Sequence, residues 1–170
     1  MRSTGIVVRA ATPVDVGVVI DMIRALAEYE NLSEQCAAEA GLLREHMFGS
    51  SPSVEVLIAE VDGSAAGFAL FFQSYSTFLT RPGLWLEDLF VRPAHRRGGV
   101  GNALLARIAQ VATHRGCGRV EWSVLDWNQP AIDFYQRVGA HLMDEWTTCR
   151  VEGTALAALA SGDLLDQPHG

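Results

Sequence analysis

The stretch Arg96-Arg97-Gly98-Gly99-Val100-Gly101 stands directly between an apolar strand pattern and an amphipathic helix pattern. Upstream, Leu84 to Val91 reads as a strand that carries an acidic pair, Glu87-Asp88. Downstream, Val100, Leu104, Ile108 and Val111 recur at helical spacing. A glycine-rich turn that opens a helix aims several unpaired backbone N–H groups at one point, and the helix dipole adds partial positive charge there. Glycines let the backbone approach an anion closely, and successive N–H groups form a concave nest. The feature therefore predicts a strand–turn–helix unit that holds a phosphate or pyrophosphate, the alternative being a glycine turn with no ligand. A P-loop is excluded, because it needs a lysine after its glycines and all 13 basic residues here are arginine. A dinucleotide fold needs G-x-G-x-x-G in an early βαβ unit, whereas these glycines come past mid-chain at another spacing.

The pattern Arg96-x-x-Gly99-x-Gly101 resembles the pyrophosphate-binding signature of the GNAT N-acetyltransferase superfamily. Further on, Asn128-Gln129-Pro130-Ala131-Ile132-Asp133-Phe134-Tyr135, followed by Val138-Gly139-Ala140, resembles the second signature of that superfamily. Leu86-Glu87-Asp88-Leu89-Phe90-Val91, Asp126-Trp127-Asn128-Gln129-Pro130 and Glu28-Tyr29-Glu30 narrow the likeness to the diamine (spermidine/spermine) and thialysine N-acetyltransferase branch. The likeness runs from about Val7 to Arg150.

The resemblance implies an α/β fold with a mixed, mostly antiparallel sheet, two splayed parallel strands and flanking helices. It implies acetyl-CoA as co-substrate. Leu89, Phe90 and Val91 would pair with its pantetheine arm, Arg97, Gly98, Gly99, Val100, Gly101 and Asn102 would hold its pyrophosphate, and Asn128 with Pro130 would meet the arm. Asn128 and Tyr135 are seven positions apart, about two helical turns, so one helix face can present both. Acetyl transfer expels a thiolate, and a phenol near the sulfur can protonate it or hydrogen-bond its growing charge. By resemblance Tyr135 is that general acid; the alternative is a ring packed in the core with its hydroxyl at the surface.

The amine that accepts the acetyl group is protonated in water, with a pKa of about 10, and must lose a proton before it attacks. A carboxylate can bind the cation and pass its proton through water. By resemblance, Glu87 is assigned to amine recognition and base work, with Asp88 second. As strand neighbours the two point to opposite faces unless a bulge re-aims one. Asp88 is equally well read as a structural carboxylate that caps backbone N–H groups. Tyr29 and Glu30, and Glu121, Trp122 and Ser123, match substrate-contacting positions of the branch. Trp122 offers a cation–π face, but its alternation with Val120 and Val124 argues equally for core. Where polyamine-specific members carry an acidic residue before the final strand, this chain has Trp146-Thr147-Thr148, which favours shorter amines such as lysine analogues.

At 170 residues the chain is expected to form a single domain over 1–162 with a loose tail over 163–170. A net charge of −7 argues against a nucleic-acid partner and would draw in cationic substrates. No apolar run reaches the roughly 18 residues of a membrane span, and the start Met1-Arg2-Ser3-Thr4 leads into a strand. Cys36, Cys117 and Cys149, odd in number and widely spaced, suggest reduced thiols in a cytoplasm. His46, His95, His114, His141 and His169 fit no metal-binding spacing, so no metal is expected. Family analogy adds a homodimer.

The coarse path reads β-α-α-β-β-β-α-β-α-β. Its landmarks are a capping box at Thr12 to Asp15, a tight hairpin at Asp62-Gly63, a turn at Arg81-Pro82-Gly83, a strand from Arg119 to Leu125, a last strand from Trp146 to Val151, and a terminal helix near Ala155 to Ala160. The leading expectation is an enzyme that moves acetyl from acetyl-CoA to a small cationic amine. The competing ones are a protein or peptide N-terminal acetyltransferase, against which the Glu87-Asp88 motif argues, and a non-catalytic acyl-CoA-binding regulator.

Overall fold

Asp62 and Gly63 both adopt positive φ, 51° and 78°, the backbone of a two-residue hairpin turn. They join β2 (Glu55–Val61) to β3 (Ser64–Ser76), which pair antiparallel. Around this hairpin a five-stranded sheet forms in the order β1 (Ile6–Ala10), β2, β3, β4 (Arg81–Val91), β5 (Val120–Glu121). Every pairing is antiparallel except that of β4 with β5. The computed structural model describes residues 5–162, so the lead-in over 1–4 and the expected tail over 163–170 lie outside the described residues. The chain condenses into two compact units, Met1–Ser123 and Val124–Gly170.

In the first unit the sheet is buried on both faces. On one face α3 (Val100–His114) packs Val100, Leu104, Ile108 and Ala112 against Leu57, Ala59, Ala69, Phe71, Leu84 and Leu86. On the other, α1 (Val16–Tyr29) and α2 (Ala40–Phe48) pack Val19, Met22 and Met47 against Val56, Ile58, Phe68, Leu70 and Phe90. The start of α1 is pinned by the expected capping box. Asp15 accepts from the Thr12 N–H at 2.7 Å and from its hydroxyl at 2.8 Å. Arg9 on β1 then donates to both carboxylate oxygens of Asp15, at 2.8 and 2.9 Å, and to Glu60 on β2 at 2.9 Å. These bonds hold the Asp15 carboxyl well below the usual carboxylate range. The second unit carries α4 (Gln129–Arg137) and α5 (Gly153–Ser161), the latter close to the expected terminal helix. Among the described residues no helix is long and apolar enough to cross a membrane.

Three local expectations are corrected. Arg81, Pro82 and Gly83 belong to β4, and the turn is Thr77 to Thr80, with Thr80 at φ 51°. Pro82 is tolerated one residue into the strand, where its carbonyl still accepts from the Gly118 N–H at 2.8 Å. The strand expected over Arg119 to Leu125 keeps only Val120–Glu121. Its pairing with β4 ends at Trp85↔Glu121, immediately before β4 bulges, and bulges terminate ladders. Trp146 to Val151 is not a strand: every residue from 141 to 151 is exposed, and alternation without a partner edge and a buried face does not hold an extended chain in a sheet.

Candidate active site

The glycine-rich turn folds as its spacing predicts. After a short 3-10 turn at Pro93–His95, Arg97 at φ 62° and Gly99 at φ 90° take left-handed backbone, and Gly99 is the N-cap of α3. No side chain caps this helix end. The first intrahelical bond is Ala103 N–H to the Gly99 carbonyl, 3.0 Å, so the N–H groups of Val100, Gly101 and Asn102 face outward at the positive end of the dipole. A Cβ at Gly98 would make a tight contact with the His95 carbonyl, at 3.3 Å. Uncapped donors, positive dipole end and missing side chains together fit a diphosphate.

Next to this turn, β4 offers a free backbone edge. The Arg92 N–H donates to the Ala66 carbonyl on the β3 side at 2.8 Å. Strand alternation then turns the N–H and C=O groups of Val91 and Leu89 to the opposite edge, beyond the point where β5 stops pairing. Phe90 is a correction to the expected trio: its backbone faces β3, its carbonyl packs against Gly67, and its ring is buried in the cluster under α1. Only Leu89 and Val91 can pair with a ligand at this edge, and the Val91 carbonyl already accepts from Arg96 Nε at 3.0 Å.

The acidic pair does not split across the sheet. Leu70 opposes Asp88 while Phe71 opposes Leu86, which leaves Glu87 as an extra residue in β4. Before this bulge Leu84 and Leu86 face α3; after it Phe90 faces α1. Parity switches at Glu87, so Glu87 and Asp88 both lie on the α1 face. The Trp85 indole N–H donates to Glu87 Oε2 at 2.8 Å. Asp88 and Glu30, the latter just past the end of α1, line a cavity of about 190 Å³ together with Ile23, Leu26, Ala27, Leu32, Gln35 and Cys36. Burial pushes the Asp88 carboxyl up to about 6, with the charges of Glu87 and Glu30 adding to the effect. Burial also raises that of Glu30. A half-dry pocket with two carboxylates on its wall, Glu30 and Asp88, and the charge of Glu87 close to Asp88 favours a cation.

The remaining candidates separate. Tyr29 stands beside Glu30, with the Arg96 guanidinium 4.6 Å from its ring centroid. Glu121 is held by Arg119 at 2.7 Å, and Ser123 is exposed. Trp122 packs with Val120 into the cluster under α3, on the sheet face away from Glu30 and Asp88. Half-buried there, its ring takes the side that the core alternative describes. In the second unit Asn128 is buried and is the N-cap of α4, its side-chain oxygen accepting from the Ala131 N–H at 3.4 Å, with Pro130 in the first turn. Tyr135 is half-buried on α4, its ring 5.4 Å from that of Phe134. Sequence reasoning missed the reach of the Arg96 side chain to Val91 and Tyr29 and the pocket wall at Leu32, Gln35 and Cys36. Arg96 lay inside a motif read for its backbone, and residues 31–39 carry no motif at all.

Residues 21–140 match the acetyltransferase (GNAT) family model. A thialysine N-epsilon-acetyltransferase of Sus scrofa is 37% identical over 166 residues, covering 91% of this chain and 97% of that protein. An L-ornithine N5-acetyltransferase of Arabidopsis thaliana is 33% identical over 197 residues, covering 89% and 86%. Among solved structures, an integron cassette protein from the mobile metagenome of V. cholerae superposes with a TM-score of 0.74 at 25% identity, covering 91% of this chain and 97% of that one. An aminoglycoside acetyltransferase from an uncultured soil metagenomic sample gives 0.71 at 20% identity, covering 87% and 99%, a likeness of fold alone. The chain belongs to the acetyltransferase (GNAT) family, whose co-substrate is acetyl-CoA, and is an acyl-CoA-dependent N-acetyltransferase.

Proposed function

We propose that this enzyme acetylates a primary amine of a small cationic substrate of the thialysine, ornithine or diamine type. The observation that carries the reading is the bulge at Glu87, which gathers Glu87 and Asp88 on the face that also bears Glu30. Two carboxylates on one pocket wall, with Glu87 beside them, suit an ammonium ion, and the relatives named for thialysine and ornithine act on such amines. Glu87, its carboxylate anchored by Trp85, holds the substrate cation. Asp88, whose carboxyl is raised to about 6, is the better matched proton acceptor near neutrality, which reverses the order expected from sequence. Glu30 and Tyr29 contact the distal end of the amine.

The amides from Arg97 to Asn102, in the turn and the first residues of α3, bind the coenzyme diphosphate, and the Leu89 and Val91 edge aligns the pantetheine arm. Tyr135 donates a proton to the departing sulfur. Acetyl-CoA supplies the acyl group and accepts no role beyond co-substrate. A single acetyltransferase domain over 1–162 is part of the proposal, and the family match over 21–140 supports it. We further propose a cytoplasmic homodimer. A thiol-release assay with acetyl-CoA across thialysine, lysine, ornithine, putrescine, spermidine, spermine and short peptides tests the reading. Turnover is expected with the short amines ahead of spermine; turnover with peptides alone would overturn it.

A further inference from the structure

Arg96 is exposed and stands at the head of the glycine-rich turn, yet its side chain reaches back across the end of β4. Nε donates to the Val91 carbonyl at 3.0 Å. The guanidinium carbon lies 4.6 Å from the centroid of the Tyr29 ring and 5.9 Å from that of Phe90. A planar guanidinium can stack on a ring while donating in its own plane, which a lysine ammonium cannot reproduce. The Arg96 side chain thus touches the strand edge offered to the coenzyme arm and the last residue of α1 beside the acidic pocket, while its backbone leads into the turn offered to the diphosphate.

We propose that Arg96 is a positioning residue that ties the amine pocket to the coenzyme edge of β4, so that filling either site strengthens the other. The proposal rests on the amine reading above for the identity of the second ligand. Ordering the turn and the Val91 edge fixes Arg96, Arg96 fixes Tyr29, and Tyr29 fixes the wall that bears Glu30. Thermodynamic linkage makes the effect reciprocal for the two binding constants.

The test uses the full chain, with coenzyme A titrated calorimetrically into the wild type, Arg96→Met and Tyr29→Leu, each with and without saturating thialysine, and with amine KM measured by thiol release. In the wild type, thialysine is expected to tighten coenzyme A binding about fivefold. In both variants that ratio falls to about one, both raise the amine KM, and the double variant raises it no further. The proposal is overturned if the wild type shows no such ratio, if the ratio survives in either variant, or if Arg96→Met weakens coenzyme A while leaving the amine KM unchanged, which would mean that the guanidinium serves the diphosphate directly. A second arm needs no amine and stands if Arg96→Met does not fold. Tyr29→Leu, outside the coenzyme turn, is expected to lower coenzyme A affinity by itself, and unchanged affinity sinks the tie. If no amine in the panel turns over while this arm succeeds, it is the substrate reading that fails.

Discussion

Asp88 sits one residue past the bulge, where burial and the charges of Glu87 and Glu30 push its carboxyl up to about 6. Two outcomes follow from that displacement. If its ionised form receives the proton of the substrate, kcat/KM for the amine falls as pH drops below about 6, and Asp88→Asn removes this acid limb while lowering kcat/KM at least tenfold, read from a pH–rate profile. Stability moves the other way. A carboxyl that binds its proton more tightly in the folded than in the unfolded chain stabilises the fold below its ordinary value of 3.8, and that contribution is lost as pH rises through 6. Asp88→Asn is therefore expected to melt higher than the wild type at pH 7.5, with the gain vanishing near pH 4. Its upper limit is about 3 kcal/mol, since each tenfold change in proton affinity is worth about 1.4 kcal/mol. Tyr135 calls for a kinetic test. Tyr135→Phe is expected to lower kcat about tenfold or more, with coenzyme A affinity unchanged in a calorimetric titration; undiminished kcat would remove the phenol from the mechanism. Sequence read both residues as candidates because each lay in a motif. It could not rank Glu87 against Asp88, because their ranking depends on which one a bulge leaves in the drier position.

At the scale of the element, the entry to α3 does what its spacing predicts, because the requirement is local: left-handed backbone at Gly99 and a helix that begins without a side-chain cap. Gly99→Val forces a β-branched side chain to φ 90°, where such residues are genuine outliers. Coenzyme A affinity is expected to drop tenfold or more by calorimetry, since the outward N–H groups no longer converge. The entry to α1 is equally local in origin but is completed from afar, by Arg9 of β1. Asp15→Asn breaks two charge-assisted bonds and is expected to cost about 2 kcal/mol in urea unfolding. The Asp15 carboxyl is depressed, so its contribution is present above the ordinary carboxylate value and is lost as pH falls through its lowered one; the wild type and Asp15→Asn should converge in strong acid. The elements that departed from expectation, β5 and the stretch from Trp146 to Val151, are those whose pattern was short and whose existence depended on a partner edge.

At the scale of the whole molecule, a net charge of −7 surrounds an acidic pocket. Its field draws cations in, and salt screens it. Raising ionic strength from about 10 mM to about 150 mM shortens the Debye length from about 30 to about 8 Å. The kcat/KM for a dicationic amine is expected to fall several-fold over that range with kcat unchanged, and a flat response would deny steering any part in amine capture. The sequence by itself determined the sheet-and-helix order of the first unit, the hairpin at Asp62-Gly63, the α1 cap and the amide turn at Gly99. Each of these is fixed by dihedral preference, side-chain reach or periodicity within a few residues. Only the tertiary structure decided that Glu87 and Asp88 share a face, that Trp122 packs against the core on the α3 side, that Phe90 spends its backbone on β3, and that Arg96 lies across Tyr29. Those outcomes depend on register between strands and on what packs over each face, and a one-residue slip in register reverses every side chain beyond it.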